Sequence, residues 1–412
     1  MSKLRLRPMV YLLLLNVIGF SLLFLFKQPW DVNILYAGLM VCAINVGVYC
    51  LMYFLDLGDV YLFLMVSILV SLGIIMLVRL DVTFGYSQVI WFCAGIIVFF
   101  VGYMALRLFK WWDRLSVVYM VLSVLMFVAT LVLGTSSGGA RNWIMIGGRG
   151  VQPSEFIKIA YAFTLACFFS GKETRFPRWE EKVWGIAVRD IVLAGFVYLC
   201  LGFLVLQREW GTAVLFFLMY FTMLILYDAQ AKLLILNGTL AIVGALGGYF
   251  LTPHIKVRVS TWLDPWADAG NRGFQITQSL FAITSGGPFG TGLGNGNPYF
   301  IPEVHSDFIF AAICEEMGVF IGIAIILIYF IFSYRGFKIA LGARNEFLRA
   351  LTFALTISFA FQTFIIVGGV IKLIPLTGIT LPFVSYGGSS MVSCFLMLGI
   401  LTAVSFLEGK RG

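Results

Sequence analysis

The chain is short of charge: Asp, Glu, Lys and Arg make up 12% of its 412 residues against 61% hydrophobic, a balance that excludes a soluble globular domain. Histidine is scarcer still. With only two, His254 and His305, and no His pair at helical spacing, a histidine-built metal centre lacks ligands. His305, although Asp307 and Glu303 are close in sequence, therefore reads as part of a helix entrance. The seven cysteines, Cys42, Cys50, Cys93, Cys167, Cys200, Cys314 and Cys394, stand singly in apolar segments without paired spacing, which excludes a disulfide framework and a zinc site. They read as small core hydrophobes. The strict alternation of outer-membrane strands is also missing, so a β-barrel is excluded.

Long apolar runs are what the chain has. Segments near 8–27, 33–55, 60–79, 86–108, 115–134, 154–170, 188–206, 211–228, 232–252, 306–333, 346–371 and 384–408 each approach the roughly 17 to 25 residues that cross a hydrocarbon core of about 30 Å. The expected fold is all-α, a polytopic membrane helix bundle. The first run follows Lys3, Arg5 and Arg7 like a signal peptide, but no small-residue cleavage site comes before Trp30, so a retained helix is expected.

Basic residues orient the bundle, because cytoplasmic loops keep Lys and Arg. With the N-terminus inside, inner loops hold Arg107, Lys110, Arg114, Lys172, Arg175, Arg178, Lys182, Arg189, Lys232, Arg335, Lys338, Arg344 and Arg349, and the two tails add Lys3, Arg5, Arg7, Lys410 and Arg411. The outer side holds Lys27, Arg79, Arg141, Arg149, Arg208, Lys256, Arg258, Arg272 and Lys372. Both termini are thus expected in the cytoplasm. The net charge of +8 is scattered through short loops, a pattern suited to anionic membrane lipid and not to nucleic acid.

Three outer segments break the pattern of a plain bundle. Residues 134–158, GTSSGGARNWIMIGGRGVQPSEFIK, form a glycine-rich loop entering a helix at Pro153, Ser154 and Glu155. Lys158 lies one turn after Glu155, and an ammonium entering an apolar helix demands a partner, so a Glu155–Lys158 pair is expected. Structure alone and substrate binding explain such a pair equally well. Arg141 and Trp143 fit an interface belt as readily as a site.

The second departure is the long connection 253–305, nearly uncharged and dense in Gly and aromatics, which should fold onto the membrane surface. Within it Asp264 precedes Pro265 and opens a turn, whereas Asp268 lacks that explanation and sits near Trp266, whose burial would tune a carboxylate toward base strength. Glu315 and Glu316, about two turns into the following helix, serve as anchors or as a proton path. The third departure, 372–390, KLIPLTGITLPFVSYGGSS, is too rich in Pro and Gly for a continuous helix.

In order, these motifs resemble the SEDS family (shape, elongation, division and sporulation) of peptidoglycan glycosyltransferases, over about residues 60–408. Gly139-Ala140-Arg141 with Trp143, and Gln152-Pro153-Ser154-Glu155 with Lys158, resemble its first extracellular signature. Gln207 with Gly211-Thr212-Ala213 resembles its Q-x-x-x-G-T-A element, with Arg208 and Glu209 where Pro and Asp are usual; Asn142 likewise replaces a frequent Arg. Asp264 to Asp268, Gly273-Phe274-Gln275, Gln278-Ser279, Gly290 to Gly294 and His305 to Phe308 resemble its large loop. Pro375 to Gly378, Leu381-Pro382-Phe383 and Ser385 to Ser390 resemble its C-terminal signature.

The resemblance implies a ten-helix core, residues 60–412, preceded by an extra pair of transmembrane helices, residues 1–59. It implies polymerisation of lipid II at the outer face of the bacterial cytoplasmic membrane, with Asp268 as the catalytic base and release of undecaprenyl pyrophosphate. Lys158, Arg141 or Arg258 would receive that leaving group, alone or with a divalent cation, and Glu155 would orient Lys158. Trp143, Trp266, Gln275 and Ser385 complete the implied substrate-binding set. A class B penicillin-binding protein is the implied partner. A lipid II flippase or other transporter competes with this reading, as does a non-catalytic scaffold, although no inverted repeat is visible and the polar motifs cluster on one membrane side.

Overall fold

The computed structural model describes residues 2–26, 30–137, 140–171, 182–183 and 186–409. Lys27, Gly139, Lys172, Arg175, Arg178, Lys410 and Arg411 lie outside the described residues, as do the side chains of Lys3, Arg5, Arg7 and Lys182.

Ten of the described helices are long and apolar enough to cross a membrane, so the protein is a multi-pass membrane protein: α1 (Ser2–Phe26), α2 (Val32–Phe54), α3 (Val60–Leu80), α4 (Val82–Leu108), α5 (Ser116–Leu133), α7 (Val188–Leu206), α9 (Ala231–Leu251), α13 (Val319–Gly342), α14 (Glu346–Val370) and α15 (Gly388–Gly409). Two further helices, α6 (Pro153–Phe169) and α8 (Trp210–Leu226), have 17 residues each. Every expected apolar segment is therefore helical, with one correction. The segment 306–333 is not one helix. It divides at Gly318 into α12 (Ile309–Met317) and α13, because Gly318 takes φ +90°, a left-handed conformation that stops α12. The long connection is also more helical than expected, containing α10 (Pro253–Leu263), a short 3-10 turn at Trp266–Asp268 and α11 (Phe274–Gly286). Loop 134–158 folds as a three-stranded antiparallel sheet, β1 (Thr135–Ser137), β2 (Ala140–Ile146) and β3 (Arg149–Val151), before α6. Gly147 and Gly148, at φ +56° and +79°, make the two-residue turn between β2 and β3. A separate two-stranded pair joins β4 (Lys182–Val183) and β5 (Ile186–Ala187).

The chain forms two compact units. The first comprises Met1–Met104, Ser260–Arg335 and Ile366–Gly412. Its centre is α3, buried along nearly its whole length, as expected of a helix that is hydrophobic all round. Asp59 caps α3 through the Tyr61 amide at 3.0 Å and accepts from Arg335 at 2.6 Å. Helices α4 and α15 approach closely because glycine faces the contact: a Cβ at Gly399 would lie 2.2 Å from the Phe99 carbonyl oxygen. The N-terminal pair packs here too, with Phe20 of α1 over Gly38 of α2, and Asn45 of α2 donating to Ser71 of α3 at 3.3 Å.

The second unit comprises Ala105–Val259 and Gly336–Ile365. There α6 is the buried helix, and Tyr161 stacks on Phe216 of α8 while its hydroxyl donates to the Phe216 carbonyl at 2.9 Å. Gly336 of α13 meets Thr356 of α14, and Arg349 reaches back from α14 to the Ala343 carbonyl at 2.8 Å.

Candidate functional site

In the first unit, three segments far apart in sequence are tied into one scaffold. The Trp262 indole at the end of α10 donates to the Lys372 carbonyl at 3.2 Å, and Ser279 of α11 donates to the Val370 carbonyl at 3.2 Å. Those two bonds fix the Asp268 segment against the start of the C-terminal signature. Ser385 donates to the Ser306 carbonyl at 2.6 Å and accepts from the Leu381 amide at 2.9 Å, while the Tyr386 amide donates to the His305 carbonyl. Ser385 is 4% exposed, so its hydroxyl holds two segments together inside the protein. Gln88 of α4 closes the arrangement by donating to the Ser385 carbonyl at 3.0 Å, and Phe84 stacks on His305. No group of three metal-ligating side chains occurs among the described residues, and His305 instead faces Glu303 at 3.7 Å.

The turn that carries Asp268 is built by its neighbours. The Asp264 carboxylate accepts from the Trp266 and Ala267 amides at 3.1 and 3.3 Å, the expected Asx turn. The Asp268 carbonyl then accepts from Asn271 and Gly273, and a Cβ on Gly273 would lie 2.0 Å from the Pro265 oxygen. Aromatic burial of Asp268 is corrected: its side chain is exposed, and Trp266, 53% exposed, instead meets Phe281 edge-on at 5.5 Å. Only Ala267 separates Trp266 from Asp268 along the tight turn, and the ring packs back onto α11. The Asp268 carboxylate accepts only a long contact from the Arg272 amide, at 3.4 Å, and is in no ion pair among the described residues. Gln275 is half-buried in the first turn of α11.

Glu315 and Glu316 are anchors. Glu316 pairs with Arg79 at 3.0 Å and accepts from the Gly294 amide, Glu315 accepts from the Asn297 amide, and Arg79 also reaches the Gly294 and Gly296 carbonyls. Together they fold the glycine-rich 290–297 loop. Sequence reading placed Arg79 among outer basic residues and Glu316 in a helix, but the register that joins them is not visible before folding.

In the second unit, the Lys158 ammonium donates to Glu155 and to Gln362 of α14, both at 2.8 Å. The expected pair is present. Lys158 is 1% exposed, however, so it is an interior cation whose partner Gln362 the sequence did not reveal. Arg141 donates to the Gly134 and Val132 carbonyls at 2.9 and 3.3 Å, where its charge meets the negative end of α5. Trp143 covers Gly150 across the β2–β3 pair. Gln152 donates to Glu209 at 3.3 Å, tying the entry of α6 to the entry of α8. Glu209 is 6% exposed, and burial pushes its carboxyl above the usual range against hydrogen bonds from Ser154, Gln152, Asn142 and Thr212. Arg258 is half-buried on α10, and partial burial, followed by the Arg258 charge, holds the His254 imidazole below its ordinary range.

Fold and motifs define a class: a multi-pass helical membrane protein with its polar signatures gathered on a few loops. The family model described as "Cell cycle protein", covering FtsW, RodA and SpoVE, matches residues 13–409, and the chain belongs to that family. The match extends the expected 60–408 resemblance through most of α1 and all of α2. The chain is 34% identical over 366 residues to the peptidoglycan glycosyltransferase RodA of Mycobacterium tuberculosis, covering 84% of this chain and 78% of that one. Stage V sporulation protein E of Bacillus subtilis is 32% identical, with 84% and 96% covered. Among solved structures, one described as showing structural coordination of polymerization and crosslinking by a peptidoglycan synthase complex matches with a TM-score of 0.70 at 25% identity, covering 84% of this chain and 97% of that one. Thermus thermophilus rod shape determining protein RodA matches in fold, with a TM-score of 0.62 at 24% identity and coverage of 85% and 97%.

Proposed function

We propose that the protein is a peptidoglycan glycosyltransferase that polymerises lipid II, with Asp268 as its base. The observation that carries this is the contrast between two carboxylates of one loop. Asp264 is committed to backbone amides, whereas Asp268 is presented from a turn that holds it without neutralising it. The acceptor 4-hydroxyl oxygen bonds to the donor's anomeric carbon as the bond to undecaprenyl pyrophosphate breaks. The hydroxyl proton goes to the Asp268 carboxylate. The departing diphosphate needs positive charge beside it, and Trp266 and Gln275, carried on the same loop as Asp268, contact the glycan. Lys158 and Glu155 act as a positioning pair at the entry of α6, and Ser385 positions the C-terminal signature.

A divalent cation is compatible with a diphosphate leaving group, whose own oxygens and water would supply most of its ligands. The reaction face is extracytoplasmic and both termini are cytoplasmic, in keeping with the basic inner loops and an even number of apolar helices once α6 and α8 are included with the ten longer ones. The partner is a class B penicillin-binding protein, in keeping with the synthase complex that one solved relative represents.

Asp268→Asn is the test. Purified in liposomes, the variant should fold and bind lipid II but lose glycan polymerisation by at least about a hundredfold, the range of a general base. Wild-type rates in this variant would defeat the assignment, and lipid II translocation without polymer would favour a flippase.

A further inference from the structure

Arg208 follows α7 with φ +61°, and its amide donates to the Val205 carbonyl at 3.0 Å, so the short turn into α8 leaves the guanidinium exposed. The first turn of α10 packs at the same place. A Cβ at Gly248 of α9 would meet Ile255 of α10 at 3.1 Å and Trp210 of α8 at 3.3 Å, so residues flanking His254 and Arg208 close on one point. His254 and Arg258, four residues apart, share a face of α10. Partial burial, then the Arg258 guanidinium, then that of Arg208 hold the His254 imidazole below its ordinary range. Lys256 adds positive charge on α10, while Glu209, in the adjoining turn, directs its carboxylate to Gln152. The positive end of α10 reinforces the field at His254.

We propose that Arg208, His254 and Arg258 form a diphosphate-binding site for a polyprenyl-linked donor or its product. Two planar guanidiniums offer paired donors to phosphate oxygens, and an anion between like charges relieves their repulsion. His254 adds a donor whose charge the anion itself favours. The ligand's identity rests on the glycosyltransferase reading; the site rests on the three side chains.

The probe is inorganic pyrophosphate, titrated by calorimetry into the full chain held in phosphatidylcholine nanodiscs between pH 8 and pH 5.5. Affinity should rise about tenfold on acidification as His254 takes up a proton, the worth of one charge-assisted hydrogen bond. His254→Gln should remove that rise. Arg208→Gly, which suits the positive φ, should weaken binding about tenfold at every pH. Wild-type binding by both variants overturns the site, as does proton-dependent binding that follows phosphatidylglycerol in the nanodisc and ignores pyrophosphate. Variant-sensitive pyrophosphate binding in protein that never polymerises lipid II leaves the site standing and removes the enzyme reading instead.

Discussion

Arg79 and Glu316 are buried against each other, with side-chain exposures of 15% and 0%. Removing one partner strands the other's charge, so Glu316→Gln or Arg79→Met should cost about 3–5 kcal/mol in detergent thermal unfolding, and the double replacement by Met should recover much of it. Glu209 carries a different signature. Its carboxyl is raised by burial, so the folded state holds the proton more tightly than the unfolded chain. Its contribution is complete below the unfolded value and is lost as pH rises through the raised one. Melting temperature should therefore fall across that window, and Glu209→Gln should flatten the slope; an unchanged slope would refute the assignment. Neither the Gln362 partner of Lys158 nor the Tyr386–His305 contact could be anticipated, because each joins residues from distant segments.

At the scale of elements, the break between α12 and α13 is held by two glycines. A Cβ on Gly318 would lie 2.5 Å from the Gly290 amide nitrogen, and one on Gly290 would lie 2.3 Å from the Glu316 carbonyl oxygen. Both residues also need positive φ, at +90° and +84°. Gly290→Ala should therefore lower the melting temperature sharply, whereas Gly147→Ala, with the same backbone demand but open space around it, should cost only about 1 kcal/mol. Equal losses in the two variants would argue against this packing. A continuous apolar run hid the α12–α13 break because hydropathy does not report a left-handed glycine. The β2–β3 hairpin was similarly concealed, its strands being short and its turn signal, Gly147-Gly148, resembling flexible loop composition.

Over the whole molecule, the described cysteines are all free, so thermal unfolding should be the same with and without reductant. Topology is tested by fusions: green fluorescent protein should fluoresce at either terminus, and alkaline phosphatase inserted after Asn271 should be active outside. Inverted outcomes would overturn the orientation. Membrane residence, the helical class and nearly every helix were already determined by the sequence, since apolar length and periodic hydropathy are local properties. Motif order similarly identified the Asp268 loop. Only the tertiary structure decided that Asp268 is exposed, that Lys158 and Ser385 are interior fasteners, and that Arg208 shares a surface with His254. Those outcomes depend on which distant segments meet, and that is set by packing at glycine contacts and by pairing of buried charge.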